Sequence, residues 1–415
     1  MALGSVALSP FLLLLRLITC VGFARADNPI VQDIYTADPA PLVHDGRVYV
    51  FTGHDEDNST WYTMRDWRLF SSADMVNWQH HGSPMDLTTF SWADDNAWAG
   101  QVVARNDKFY FYAPVHHSAT GAMAIGVGIS DSITGPYTDA LGYPLVENGE
   151  IDPTVYIDDD GHAYLYWGNP GLWYVKLNED MVSYSGNISQ VELTEGPWLY
   201  KREDIYYMIY AATCCSENIR YSTGSSPTGP WTYRGIIMPS QGASFTNHPG
   251  IIDFEGRSYF FYHNGALPGG SGFTRSVAVE EFTYNADGTI PELSMTTAGP
   301  AQIGTLDPYR RQEAETIAWS DGIEVEACSE GGFNVAYIDN GDYIKVRGVA
   351  FDEGASSFTA RVASAGNGGN LELHLDSKDG PVVVSNSTST HDLFLVFTGD
   401  STGYLFNFDW WQFSR

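Results

Sequence analysis

The chain has 415 residues, and its 51 Asp+Glu against 21 Lys+Arg give a formal charge of −30. So acidic a chain repels nucleic acid and anionic lipid, and with 14% aromatic residues it suits a neutral polysaccharide; solubility alone is the other reading of the charge. Beyond the first 26 residues no stretch is apolar enough to span a membrane.

Residues 1–26 carry an apolar run around Phe11–Leu15, too short for a bilayer, and an A-x-A cleavage site, Ala24-Arg25-Ala26, ahead of Asp27. They read as a signal peptide, which makes the protein secreted and extracellular.

From Asp27 to about residue 305 one pattern occurs five times. A leading residue is followed, eleven or twelve positions later, by the middle of an aromatic strand: Asp38 and Tyr49, Trp98 and Phe109, Asp152 and Tyr164, Glu195 and Tyr206, His248 and Tyr259. A polar or Gly-containing turn precedes each aromatic strand: Asp45-Gly46, Asn106-Asp107, Asp160-Gly161, Glu203-Asp204 and Glu255-Gly256. The leaders are 60, 54, 43 and 53 residues apart. A period of this size in a strand-rich sequence predicts an all-β propeller, one blade per repeat, hence five blades.

The innermost strand of each blade faces the axis, so the five leaders should ring one mouth. A single Asp-Pro pair reads as a turn starter. Three carboxylates, an imidazole and an indole at equivalent places read as a site, and converging acids are the equipment of glycoside hydrolysis. The step from Asp152 to Glu195 is the short one, and its shortfall lies between Ser189 and Glu195.

Behind the signal peptide three cysteines remain, Cys214, Cys215 and Cys328, an odd count with no metal-type spacing. Adjacent Cys214-Cys215 are placed for a vicinal disulfide. Asn58, Asn187 and Asn386 head N-glycosylation sequons.

Residues 286–312, with Pro291, Gly299, Pro300 and Pro308, form a transition. Residues 306–415 follow as a second domain of alternating strands with Gly/Ser-rich turns.

At the leaders the chain resembles glycoside hydrolase family 43. TADPAP, IDPTVYIDDDG and EGPWLYK look like its three acidic motifs. NPIVQDIYTADPAPLV, AWAGQVV, SPTGPWTYRG, SFTNHPG and FFYHNGALPGG look like its arabinoxylan arabinofuranohydrolase branch, over residues 28 to about 300. The resemblance implies an inverting enzyme removing arabinofuranosyl side chains from plant cell-wall arabinoxylan. Asp38 is then the general base, Glu195 the general acid, and Asp152 the residue that orients the acid and raises its pKa. It also implies that His248 helps hold a central calcium, largely through water; a hydrogen-bonded core histidine is the other reading. Trp98 either flanks the pocket or plugs the channel, and Asn264 contacts substrate or serves a turn.

The family has a longer loop before Glu195 than this chain. The same ring also serves β-xylosidases and endo-arabinanases, and a chain with shortened segments could be a catalytically impaired polysaccharide-binding protein. The C-terminal strings EAETIAWSDGIEVEACSEGGFNVAYIDNGDYIKV and THDLFLVFTGDSTGYLFNFDWWQF look like a family 6 carbohydrate-binding module, a β-sandwich (jelly-roll). By that resemblance Glu313, Glu315 and Asp409 hold a structural calcium, and Tyr337 and Asn407 contact a sugar. The module is short between Val384 and Thr390, where the family carries a Trp that closes on the sugar from the other side. No organic cofactor is implied, and the expected state is a monomer.

Overall fold

The computed structural model describes residues 27–149, 151–212, 214–352, 354–383, 387–400 and 403–415. The expected signal peptide, the Asn386 sequon and the gap beginning at Val384 lie outside them or at their edge.

Each of the five repeats becomes one antiparallel sheet. The first runs Thr36–His44, Arg47–Asp55, Met64–Ser72 and Trp78–His80. The second is built on Gln101–Arg105, Lys108–His117, Ala122–Ser130 and Thr138–Asp139. The third takes Thr154–Ile157, Ala163–Trp167, Leu172–Leu177 and Tyr184–Val191, and the fourth Glu195–Arg202, Ile205–Ala212, Asn218–Gly224 and Thr232–Met238. The fifth has three strands, Gly250–Phe254, Arg257–Asn264 and Ser276–Phe282. The first strands of the five sheets touch one another in a closed cycle, from Thr36–His44 through Gln101–Arg105, Thr154–Ile157, Glu195–Arg202 and Gly250–Phe254 back to Thr36–His44. This is the expected propeller, with the repeat leaders on its axis.

The aromatic second strands hold it together. Tyr112, Tyr166, Tyr207, Tyr259 and Tyr262 are fully buried between sheets, where large flat side chains fill the space between twisted blades. Asp45-Gly46, Asn106-Asp107 and Glu255-Gly256 each have positive φ at both positions, the conformation a two-residue hairpin requires. The third blade differs from the expected two-residue turn at Asp160-Gly161. Its ladder ends at the Ile157–Ala163 pair, and the Asp158 carbonyl accepts from the Gly161 N–H at 2.8 Å, giving a longer turn. The Asp158 carboxylate, bonded to the Asp159 N–H and the Tyr206 hydroxyl, stabilises that alternative.

Residues 28–30 close the ring. Ile30 N–H donates to the Val277 carbonyl at 2.9 Å, and the Asn28 side chain brackets Val279, accepting from its N–H and donating to its carbonyl. The segment thus lies along the last strand of the three-stranded fifth blade.

The third blade keeps all four strands, so the short 43-residue step has its shortfall in the connection. Only Glu192–Thr194 separate Tyr184–Val191 from Glu195–Arg202, whereas the links from Thr138–Asp139 to Thr154 and from Met238 to Gly250 are full loops.

After Phe282 the next strand begins at Gln312. Two sheets face each other: Gln312–Glu313, Asn407–Ser414, Phe333–Ala336 and Glu324–Ala327 with Ser357–Ala363 added, and Trp319–Asp321, Tyr343–Ala350, Thr390–Thr398 and Asn370–Leu375. Ile344, Val346, Leu393, Leu395, Phe408 and Trp411 fill the space between them, a β-sandwich core separate from that of the propeller. The two parts are joined by a shared sheet, since Thr316–Ile317 pairs with Trp78–His80 of the first blade. Among the described residues there is no α-helix, and no helix long and apolar enough to cross a membrane.

Candidate active site

Asp38, Trp98, Asp152, Glu195 and His248, the five leaders, all line one cavity of about 260 Å³ at the mouth of the ring. Local backbone irregularity aims two of the acids. The ladder of the first blade slips between Ala37 and Ala40, and that of the fourth between Glu195 and Trp198, so a bulge falls at each carboxylate. Asp38 and Asp152 both sit at positive φ, 53° and 59°, a region that Asp tolerates better than most residues.

Asp38 is buried against cations and donors. Arg275 Nη1 donates to its Oδ1 at 3.1 Å, and its own N–H donates to His263 Nδ1 at 3.1 Å. His263 Nε2 lies 3.0 Å from the Thr246 carbonyl, to which it donates, which leaves Nδ1 as the acceptor. Burial alone would raise the Asp38 carboxyl, but the Arg275 guanidinium outweighs it and holds Asp38 well below the usual carboxylate range. Asp38 is therefore an anion. Arg275 is itself fixed by Asp55, which accepts from Nε and Nη2 at 2.9 Å each.

Glu195 has the opposite bias. Burial raises its pKa, while a hydrogen bond from Asn169 Nδ2 to Oε2 works against the rise. Asp152 is raised further, by burial first and then by the charges of Asp38, Glu195 and Glu217, with the Gly196 N–H pulling the other way. The structure thus alters the expectation that a charged Asp152 is what lifts Glu195. Burial is the leading cause on Glu195, and Asp152 carries the larger share of the repulsion. The two titrate as a coupled pair.

Glu217 joins them from the strand link after Ala212. It is buried, accepts from the Asn247 N–H at 2.7 Å, and is pushed up to about 8 by burial and by Glu195. Beside it Cys214 and Cys215 are exposed and disulfide-bonded, with Cys214 on the cavity wall. Trp98 flanks the pocket. Its Nε1 donates to the Tyr62 carbonyl at 2.9 Å, and its ring meets Tyr62 edge-on.

Asn264 is not brought to the cavity. It is buried, and its Oδ1 accepts from the Ala266 N–H and the Ser276 hydroxyl at 3.0 Å each, so the amide oxygen serves its own turn. Of the two readings of Asn264, these bonds support the turn.

Residues 26–290 match the model of "Glycosyl hydrolases family 43". An arabinoxylan arabinofuranohydrolase of Bacillus subtilis is 35% identical, over 94% of this chain and 92% of its own length. The chain belongs to glycoside hydrolase family 43. It is a glycoside hydrolase, and residues 313–385 and 382–415 match "Carbohydrate binding module (family 6)". The crystal structure of a B. subtilis family 43 arabinoxylan arabinofuranohydrolase in complex with cellotetraose superposes with a TM-score of 0.83 at 34% identity, covering 94% of this chain and 97% of that one. A β-xylosidase/α-arabinofuranosidase from a compost metagenome, in complex with xylotriose and calcium-free, gives 0.62 at 30% identity over 65% of this chain and 98% of that one. The alignment with the Bacillus sequence spans 481 positions, more than the 415 residues present here, so that relative has segments this family 43 chain lacks.

Two places fit a cation. His248 lies in the cavity against Gly196, and burial lowers its pKa to about 4, so a neutral ring nitrogen is available. Among the described residues the one group of three His, Cys or acidic side chains close enough to share an ion is Cys214, Cys215 and Glu217, whose cysteines are engaged with each other. An ion at His248 would therefore be held mainly by water. In the sandwich Glu315 Oε2 is buried without a partner, and burial followed by Glu313 and Asp409 raises its pKa to about 8. Glu313 is taken up by Arg311 at 2.8 Å and Asp409 by Arg361 at 3.3 Å, so the three expected calcium ligands form a patch and do not converge on one point. The orphaned oxygen still fits a hard cation.

On the sandwich surface Tyr337 is exposed and meets the ring of exposed Tyr404 edge-on at 5.2 Å. Asn407 donates to Glu326 at 2.6 Å and to Asn334 at 3.1 Å, which ties it to the strand beside Tyr337. Tyr404 is a second aromatic where the sequence reading expected one wall alone.

Proposed function

We propose that the chain is a secreted, monomeric enzyme that removes α-L-arabinofuranosyl side chains from arabinoxylan with inversion. Residues 1–26 are then its signal peptide, 27–305 its catalytic propeller and 306–415 its carbohydrate-binding module. The observation that carries this reading is the opposite bias of two carboxyls in one cavity: Asp38 held below the usual carboxylate range by Arg275, Glu195 raised by burial. The likeness to arabinoxylan arabinofuranohydrolases over nearly the whole chain supports the substrate.

In this mechanism Glu195 gives its proton to the glycosidic oxygen as the C–O bond breaks. Asp38 takes a proton from the water that attacks the anomeric carbon from the opposite face. Trp98 bounds the sugar on one side. Calcium, when bound at His248, supplies a fixed positive charge near the acids, and at Glu315 it supplies a structural staple for the sandwich.

The test is incubation with arabinoxylan, linear xylo-oligosaccharides and debranched arabinan. Free arabinose from the first alone is expected, with proton NMR reporting the inverted anomer as the first product. Xylose release without arabinose would place the chain with the β-xylosidases instead.

Asp152→Asn gives a separate prediction. In the wild type the last proton leaves the Asp152–Glu195 pair only by placing two charges side by side. The variant loses that repulsion, so Glu195 ionises at lower pH and the basic limb of the kcat/KM profile should move down. The acidic limb, set by Asp38, should stay nearly in place. A uniform loss of rate with both limbs fixed would make Asp152 a substrate-positioning residue.

A further inference from the structure

Trp61 is 60% exposed, and among the described residues it alone of the exposed large hydrophobic side chains lines the catalytic cavity. It stands in the loop between Arg47–Asp55 and Met64–Ser72, which is held by Glu56 N–H to the Thr63 carbonyl at 3.0 Å and Thr63 N–H to the Trp61 carbonyl at 2.7 Å. Its ring rests on Tyr62 at 5.2 Å and on Phe273 at 5.9 Å. Tyr62 meets Phe273 at 4.9 Å and Trp98 at 6.1 Å, and Phe245 backs Phe273 at 5.1 Å. The indole is thus the outer end of an aromatic wall that continues inward to the acids. Its inner neighbours fix its position, and nothing in the fold covers its outer side.

The cavity itself is small. Its volume of about 260 Å³ lies below the ~300–1,000 Å³ of sites that enclose a drug-sized ligand. One pentose fits, and a polysaccharide main chain does not. When the side-chain sugar is in the cavity, the main chain must cross the mouth, and there Trp61 offers an exposed apolar plane. A pyranose presents C–H groups on its faces and hydroxyls on its rim. It can therefore cover an indole while its hydroxyls stay in water.

We propose that Trp61 is the platform for the main-chain xylopyranose beside the scissile bond, and so the residue that sets preference for polymer over small arabinofuranosides. This rests on the arabinofuranosidase reading given above. The aromatic wall argues for a neutral, flat-faced sugar here; Arg275, the nearest cation on that wall, is already spent on Asp38 and Asp55.

The experiment measures kcat/KM on arabinoxylan and on 4-nitrophenyl α-L-arabinofuranoside for the full chain and for Trp61→Ala and Trp61→Phe. The ratio of polymer to aryl substrate should fall about tenfold in Trp61→Ala, the loss expected for one aromatic anchor, and largely return in Trp61→Phe. An equal fall on both substrates would mean that Trp61 only shapes the pocket wall, and an unchanged ratio would mean that the polymer does not touch it; either overturns the proposal. If the wild type releases no arabinose, the functional reading fails and the platform is read by calorimetric titration with xylohexaose. The sandwich is common to all three proteins, so weaker binding in Trp61→Ala alone upholds the platform and equal binding removes it.

Discussion

Asp38→Asn and Glu195→Gln should each lower kcat on arabinoxylan by about 10²- to 10⁴-fold, the usual contribution of one general acid or base. Both substitutions keep shape and remove only the ability to exchange a proton. Asn at position 38 can still accept from Arg275, which keeps its two bonds to Asp55. Gln at position 195 can still meet Asn169. Circular dichroism should therefore show a folded chain in both cases. The two variants separate on a substrate with a good leaving group. A 4-nitrophenolate departs without protonation, so Glu195→Gln should recover much of its lost rate there. Asp38→Asn should not, because water still has to be activated. A variant that kept more than a tenth of wild-type kcat on arabinoxylan would remove its residue from the proton-transfer chemistry.

The parts of this site that could be read from sequence are those that repeat. Asp38, Trp98, Asp152, Glu195 and His248 share one register in five copies, and a closed ring of inner strands carries a shared register to a shared place. Glu217 has no counterpart in the other repeats. It comes from the link between the second and third strands of the fourth blade, so only the fold reveals that it faces Glu195. Arg275 had a fainter signal: an arginine opening the apolar strand SVAVEEF, a charge that burial obliges to find partners. Its partners, Asp38 and Asp55, lie more than 200 residues away in sequence. At Asn264 the string YHNGALPGG left two readings open, a binding loop or a turn, and the fold shows the amide oxygen engaged by Ala266 and Ser276. Hydrogen bonds inside a turn leave no mark on a string of letters.

Arg275→Met should cost about 3–5 kcal/mol of stability at neutral pH, the penalty for breaking a buried ion pair from one side. The guanidinium is only 4% exposed and serves two buried acids, with Nη1 on Asp38 and Nε and Nη2 on Asp55. Methionine fills similar volume and supplies no charge, so both carboxylates lose their counter-ion. The sign of the pH dependence follows from Asp38. In the wild type its folded-state pKa is depressed, so its contribution to stability is fully present above the ordinary carboxylate range of about 4 and is lost as pH falls towards the depressed value. Without Arg275 the burial cost on Asp38 is no longer outweighed, and its folded-state pKa rises above the unfolded one. Asp38 then destabilises the variant at neutral pH, and protonation relieves it as pH falls. The gap between the two proteins in urea denaturation should therefore be widest near pH 7 and narrow towards pH 5. Activity should fall with stability, because a base that holds its proton at the working pH cannot accept one from water. A gap of equal size at both pH values would show that Arg275 acts by packing alone and does not set the charge of Asp38.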